Sequence, residues 1–263
     1  MKTTFIFLVA TAVTVSVCLS GCNGAASLTA SQIITRTLAA MRNVTSYQYT
    51  MSETVNTTTY NNSKQTVTHS INQRTGSINT TLKETFFQSH LTLVNSTRTK
   101  ENDQFFRLVN NITWIGNNTN GTIKWGRLNV SAKQSWYQFS LLDFDVDVLS
   151  GQNRQNPMQR NAVDATRLAD ATINHTSCYV LLVKQSIIAP AGRGMNTSEN
   201  TQHTYYIDKT TYLILSHSAT VTVETRTDAT QNPPNTLKMH VDALGSQNYF
   251  NYNIKVTIET PLE

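Results

Sequence analysis

The C-terminal part of this chain alternates apolar and polar side chains with a period of two. Leu213, Leu215, Ala219, Val221 and Val223 fall on one side, against Ser216, Ser218, Thr220, Thr222 and Glu224. Leu237, Met239, Val241 and Ala243 oppose Lys238, His240 and Asp242, and Phe250, Tyr252, Ile254, Val256 and Ile258 oppose Asn251, Asn253, Lys255, Thr257 and Glu259. Successive side chains of a strand point to opposite faces, so a strand apolar on one face only must bury that face and show water the other. Several such strands in a row predict an antiparallel sheet that curls around an interior.

The same period marks the N-terminal half. Tyr47, Tyr49 and Met51 alternate with Gln48, Thr50 and Ser52, and Val67, His69 and Ile71 with Thr68, Ser70 and Asn72. Phe86-Phe87 leads into Leu91 and Leu93, and Phe105-Phe106 into Leu108 and Val109. Asn117-Asn118-Thr119-Asn120-Gly121, between Trp114-Ile115 and Ile123 with Trp125, reads as a hairpin turn. Three segments carry helical spacing instead. The first is capped by Ser27 or Thr29 and contains Ile33, Ile34, Leu38 and Met41; the second contains Trp136, Phe139, Leu142, Val146 and Leu149. The third runs from about 162 to 173, separated from the second by Gly151 and Pro157. The expected fold is α+β: an incomplete antiparallel β-barrel, a curled meander sheet covered by about three helices, as one domain over 28–263.

Ahead of it, Lys2, an apolar stretch from Phe5 to about Leu19, and Leu19-Ser20-Gly21-Cys22 make a lipobox. Residues 1–21 read as a lipoprotein signal peptide, Cys22 as the lipidated N-terminus and 22–27 as a tether. The plainer alternative is a cleaved secretory peptide with an incidental Cys. The lipobox predicts a protein anchored by lipid to the extracytoplasmic face of the cell membrane. Cys18 leaves with the signal peptide and Cys22 carries lipid, which leaves Cys178 alone in the domain and no intrachain disulfide. Cys178 sits in an apolar run and is expected to be buried and inert.

Formal net charge is +5, yet only 14% of residues are charged and no Lys/Arg run exceeds two. Nucleic acid needs clustered cations, so it is excluded as a partner. Sequons begin at Asn43, Asn56, Asn61, Asn79, Asn95, Asn111, Asn117, Asn120, Asn129, Asn174 and Asn196, each a candidate glycosylation site. Lipobox and sequon density together fit an archaeal surface protein better than a bacterial one.

Three segments carry a family resemblance. Leu38-Ala39-Ala40-Met41-Arg42-Asn43-Val44-Thr45-Ser46-Tyr47 resembles the first helix and "val-x-ser-tyr" strand entry of the LolA-like and LppX/LprG-like lipoprotein carriers. Asn174-His175-Thr176-Ser177-Cys178-Tyr179-Val180-Leu181 resembles their entry into the strand after the helix pair, with His175 or Thr176 at the usual Gly. Tyr205-Tyr206-Ile207-Asp208-Lys209-Thr210-Thr211-Tyr212-Leu213-Ile214 is similar to their "aromatic-ile-asp" hairpin, and Val256-Thr257-Ile258-Glu259-Thr260-Pro261 to their closing strand. The resemblance implies a half-barrel under helices that holds acyl chains. The Asn/Thr-rich strands and the sequons mark a distant branch, so lipid transfer does not follow from the fold alone.

No catalytic constellation, cofactor motif or metal-ligand spacing emerges. Centring a hairpin on Asp208-Lys209-Thr210-Thr211 sets His203 opposite Ser216, which puts His203 and His217 on opposite faces. Asp143, Asp145 and Asp147 lack the Gly and Glu of a calcium loop and read as a solvated helix end. Gly192-Arg193-Gly194 lacks a phosphate-loop setting. The apolar faces remain. Trp136, Phe139, Leu142, Met239, Val241, Phe250, Tyr252 and Ile254, with Met51 and Phe86, line either a solid core or a ligand cavity. The expectation is a non-enzymatic lipoprotein that binds or carries a lipid, an acylated molecule or another hydrophobic ligand. The alternative is a glycosylated surface protein with a solid barrel that engages an envelope protein partner; an envelope sensor is a weaker third reading.

Overall fold

The computed structural model describes residues 27–61, 64–95, 98–119, 121–152, 163–192, 195–227 and 237–261. Helix α1 (Ala30–Met41) starts where Thr29 can cap it: the Thr29 hydroxyl accepts from Gln32 N at 3.3 Å, and Gln32 Oε1 accepts from Thr29 N at 2.9 Å. This reciprocal pair satisfies two amides that have no partner inside the helix. Its buried stripe is Ile33, Thr37 and Met41.

Twelve strands follow in one antiparallel sheet. They are β1 (Ser46–Asn61), β2 (Lys64–Asn79), β3 (Glu84–Asn95), β4 (Thr99–Val109), β5 (Ile112–Thr119), β6 (Thr122–Leu128), β7 (Asp164–Arg167), β8 (Ala171–Ile173), β9 (Thr176–Gly192), β10 (Met195–Asp208), β11 (Ile214–Thr227) and β12 (Leu237–Phe250). The order is β6-β5-β4-β3-β2-β1-β12-β11-β10-β9-β7, with β8 also on β9. The sheet is therefore two meanders joined along β1 and β12, and it does not close. The expected incomplete barrel is what forms.

This topology explains the helices. After β6, at one edge, the chain must reach β7 at the other, and the link runs over the inner face carrying α2 (Ala132–Phe139) and α3 (Leu141–Ser150). The helical stripe from Trp136 to Leu149 thus forms as expected, but broken at Ser140, which ends α2 and opens α3 with ψ 90°. Beneath these helices the core is aromatic. Tyr47, Tyr49, Tyr205, Tyr249, Phe87 and Phe106 are buried with Ile33, Leu142 and Leu149. Phe106 lies 4.8 Å from Phe87 and 4.1 Å from Phe139 between ring centroids.

Two expectations are overturned. The segment 162–173 is not a helix: where it is described it forms β7 and β8. Strand β9 buries Cys178, Val180, Leu181 and Val183, on both of its faces, and such a strand needs a ladder partner on each side. The alanines that suggested a helix have no size to fix a face, so pairing decides. The closing strand is also absent. Strand β12 continues unbroken to Phe250, and Asn251 and Asn253 then adopt φ of 52° and 60°, which no strand accommodates. Beyond them the tail straps across the sheet. Asn253 N donates to Ser46 O at 2.9 Å, Asn79 Nδ2 to Val256 O at 3.2 Å and Arg107 to Glu259 O at 2.7 Å. Ser46 Oγ also donates to Ile254 O. Ile258 seals a second, outer cluster with Val109 and Trp114, so the period of two in the tail reflects packing without a ladder.

Gly76 shows how tightly the floor is built. A Cβ there would stand 2.7 Å from both the Phe86 carbonyl and the Tyr49 ring. Gly76→Ala is expected to destabilise the fold by about 1–3 kcal/mol, through overpacking against a backbone atom that cannot step aside. Denaturant unfolding measures it; a change within about 0.5 kcal/mol, the range of a neutral surface substitution, contradicts the packing.

Candidate functional site: the inner face of the sheet

Register divides the inner face into zones. Nearest the helices lies the buried aromatic floor. At the far end, Val55 faces Ala243, which faces Val221, and in the next row Thr57 faces Val241, which faces Val223. All six are only half-buried, so this aliphatic rim forms an apolar surface left partly open. Between floor and rim runs a polar belt, with Arg74 and Asn72 on β2, Glu53 on β1, Gln247 on β12, His217 on β11 and His203 on β10.

The eight residues expected to line a cavity divide among these zones. Trp136 and Leu142 are buried in the core, and Phe139 packs tilted against Phe106. Met239 and Val241 lie half-buried on the inner face at the rim. Tyr252 is half-buried at the floor, its hydroxyl donating to Ile214 O at 2.5 Å. Phe250 and Ile254 are 41% and 43% exposed and line nothing. Because β12 is one strand, burying Tyr249 turns Phe250 outward, and Ile254 belongs to the strap. Phe86 packs on the outer cluster, while Met51 is half-buried on the inner face.

The belt holds a cluster that contradicts two further expectations. Asp145, read as solvated, is fully buried, and His203 and His217, read as facing apart, are on the same face with Nδ1 and Nε2 3.0 Å apart. The register pairs His203 with Ala219, not Ser216, because β10 ends at Asp208, β11 begins at Ile214 and the pairing shifts at Tyr206. An odd slip of this kind moves every side chain to the other face. His217 Nδ1 lies 3.0 Å from Asp145 Oδ1, a close approach that is not an aligned hydrogen bond. The Tyr249 hydroxyl donates to Asp145 Oδ2 at 2.5 Å and Tyr205 to Oδ1 at 3.4 Å. Tyr205 stacks on His217 with centroids 4.4 Å apart. Burial pushes both tyrosine hydroxyls well above their ordinary range, with the Asp145 charge adding to it. Burial, reinforced by His217, pushes His203 down to about 4. A signal for this cluster did exist in the sequence: His203, Tyr205 and Ile207 share one strand face, and Ile207 is apolar.

Beside α2, a cavity of about 230 Å3 opens between the helix and the inner face of β2–β6. No group of three or more His, Cys, Asp or Glu residues that could hold a metal occurs among the described residues. Cys178 is buried, and burial raises its thiol. Of the sequon residues, Asn43, Asn56, Asn95, Asn111, Asn117, Asn129 and Asn174 are exposed, and Asn79 is half-buried. The side chains of Asn61, Asn120 and Asn196 lie outside those described, as do residues 1–26 with Cys22.

No family model and no curated protein matches the chain. Among solved structures it is similar to a DUF1329 family protein from Desulfovibrio piger, at 10% identity over 87% of this chain and 93% of that one, TM-score 0.22. It is also similar to a β-barrel-like DUF1849 protein from Brucella abortus, at 10% identity over 79% and 100%, TM-score 0.28. Lipovitellin, in a structure concerning lipid-protein interactions, is similar at 8% identity over 82% of this chain and 26% of its own, TM-score 0.29.

The cluster gives a pH signature. An unfolded His takes up its proton near pH 6.5 and folded His203 only near pH 4, so unfolding binds a proton between these values. Stability from this group is complete above about pH 6.5 and falls by up to about 3 kcal/mol as pH drops towards 4. His203→Gln is expected to flatten that slope relative to wild type, measured by denaturant unfolding at stepped pH; parallel slopes refute the assignment.

Proposed function

We propose that this protein is a non-enzymatic carrier, held by lipid on Cys22 at the extracytoplasmic face of the cell membrane, that binds an acyl chain or another hydrophobic ligand against the open end of its half-barrel. The observation that supports this reading is the contrast along single strands. On β12, inner-face Tyr249 is buried in a filled core, whereas Ala243, Val241 and Met239 on the same face stay half-exposed. A concave apolar surface left open by the fold is suited to an apolar occupant. An acyl chain needs no polar reader there, since each methylene buried contributes about 0.8 kcal/mol. Among the described residues no helix is long and apolar enough to cross a membrane, so attachment in this reading falls to the lipobox.

The second reading, a glycosylated surface protein with a solid barrel and an envelope protein partner, draws on the filled aromatic floor and the exposed sequons. One experiment separates the two. Natively purified protein is extracted and its lipids identified by mass spectrometry, and a fluorescent fatty-acyl probe is titrated into stripped wild type and into Val241→Asp. The carrier reading expects co-purified lipid, saturable probe binding and weaker binding by Val241→Asp, with the variant still folding cooperatively at a stability cost of about 1 kcal/mol. Absence of both lipid and probe binding leaves the solid barrel.

Anchoring is tested separately. Cys22→Ser is expected to release the protein into the soluble fraction or leave it unprocessed. A membrane-bound variant with a normally cleaved N-terminus refutes lipidation.

A further inference from the structure

Among the described residues no carboxylate pairs with Arg74. It projects from β2 onto the inner face, its guanidinium 4.4 Å from the centroid of the Phe87 ring and 5.9 Å from that of Phe139. Its Nε is buried without a hydrogen-bond partner. Stacking on aromatic faces offsets part of the cost of removing a cation from water. An unpartnered N–H of a charged group remains expensive. The same side chain lines the cavity beside α2, together with Leu91, Phe106, Ile115 and Leu128. A cation with an unused donor therefore stands in the wall of an otherwise largely apolar hollow.

We infer that this cavity binds a single-chain amphiphile with an anionic head, the head on Arg74 and the chain along Leu91, Ile115 and Leu128. The Tyr49 hydroxyl lies against the guanidinium, but an oxyanion supplies an ionised acceptor for the unpartnered Nε inside a site of low polarity, where a charge-assisted hydrogen bond is strong. Asn72 lines the same hollow; its Oδ1 accepts from Ser89 Oγ at 2.7 Å, leaving its amide N–H groups for the same head. The volume of about 230 Å3 is below the roughly 300–1,000 Å3 of sites that enclose drug-sized ligands, which favours one chain over a two-tailed lipid. This inference goes beyond the carrier reading, which seats its ligand on the rim of β1, β11 and β12, by adding a separate site beside α2 with its own ligand class.

The test uses stripped full-length protein and four probes: laurate, dodecanol, acetate and inorganic phosphate. Wild type is expected to bind laurate about tenfold or more tightly than dodecanol. Arg74→Gln should erase that preference and Arg74→Lys should keep part of it, while acetate and phosphate fail to displace laurate at equal concentration. Equal binding of laurate and dodecanol by wild type overturns the inference, as does unchanged laurate binding by Arg74→Gln. Displacement by phosphate overturns it in favour of a free-anion site. A laurate carrying a photoreactive diazirine tests placement on wild type, independently of how the variants fold. Cross-links are expected on peptides containing Ile115 or Leu128. Cross-links confined to peptides with Val221 or Val241 overturn the inference and leave the carrier reading standing, whereas no binding of any amphiphile removes both.

Discussion

The buried carboxylate of Asp145 decides how the helices sit on the sheet. A carboxylate removed from water must find donors, and over most of the inner face it would meet only apolar side chains. Tyr249 on β12, Tyr205 on β10 and His217 on β11 converge at one place, and there α3 docks. The neighbouring Leu142 amide donates to the Tyr47 hydroxyl at 3.2 Å, which ties the same helix to β1. Four strands from both meanders are thus held by one turn of helix. Hydrophobic packing alone would let a short helix slide along an aromatic floor, and these directional contacts remove that freedom. With α3 fixed, α2 is placed over β3–β5, and the end of the half-barrel that is filled is settled.

Much of this architecture can be read from the chain, because a period of two is a direct consequence of strand geometry. The inner face of β1, the turn after Asn117, the cap at Thr29 and the stripe from Trp136 to Leu149 all follow from local pattern. The failures share a cause. Periodicity gives the face of each residue within an element but not where the element stops or how it is offset from its neighbour. Alternation over Phe250–Ile258 turns Phe250 inward only if a new strand starts there, whereas β12 buries Tyr249 and runs on to Phe250, and the positive φ of Asn251 and Asn253 that ends it is not announced by the pattern. Alternation separates His203 from His217 because a hairpin's register depends on the loop Lys209–Leu213 and on the shift at Tyr206, neither of which it encodes. The segment 162–173 departs from its expected helix for the same kind of reason: its small residues suit either state, and the requirement of β9 for a partner is non-local.

The connectivity explains why one end remains open. Two meanders meeting at β1 and β12 leave their far edges, β6 and β7, joined by a single crossing link. The described part of that link contains one helix of 8 residues and one of 10, about 12 Å and 15 Å long at the usual rise. Strands of 14 to 17 residues, such as β9 to β12, reach roughly 46 to 56 Å at the usual rise. Helices this short cannot roof strands this long. Tyr252 reaches the inner floor, but the rest of the tail after Phe250 straps the opposite face and closes the outer cluster around Trp114.

Stability and binding surface are consequently separated along the same strands. The floor contains most of the fully buried side chains, and its tyrosines, Asp145 and the two histidines form a polar network that leaves little room for a guest. The rim carries small aliphatic residues whose removal would cost the core nothing comparable. The polar belt between them is a barrier to any apolar chain lying along the inner face, because an aliphatic segment laid over Glu53, Gln247 or Arg74 would strip water from those groups without replacing it. A purely apolar ligand is therefore confined to one side of the belt. A ligand with a charged end meets the opposite condition, since the belt supplies the partners its head requires and the apolar zones on either side receive its chain. In the proposed carrier reading, the arrangement of charges inside the half-barrel would favour amphiphiles over simple hydrocarbons.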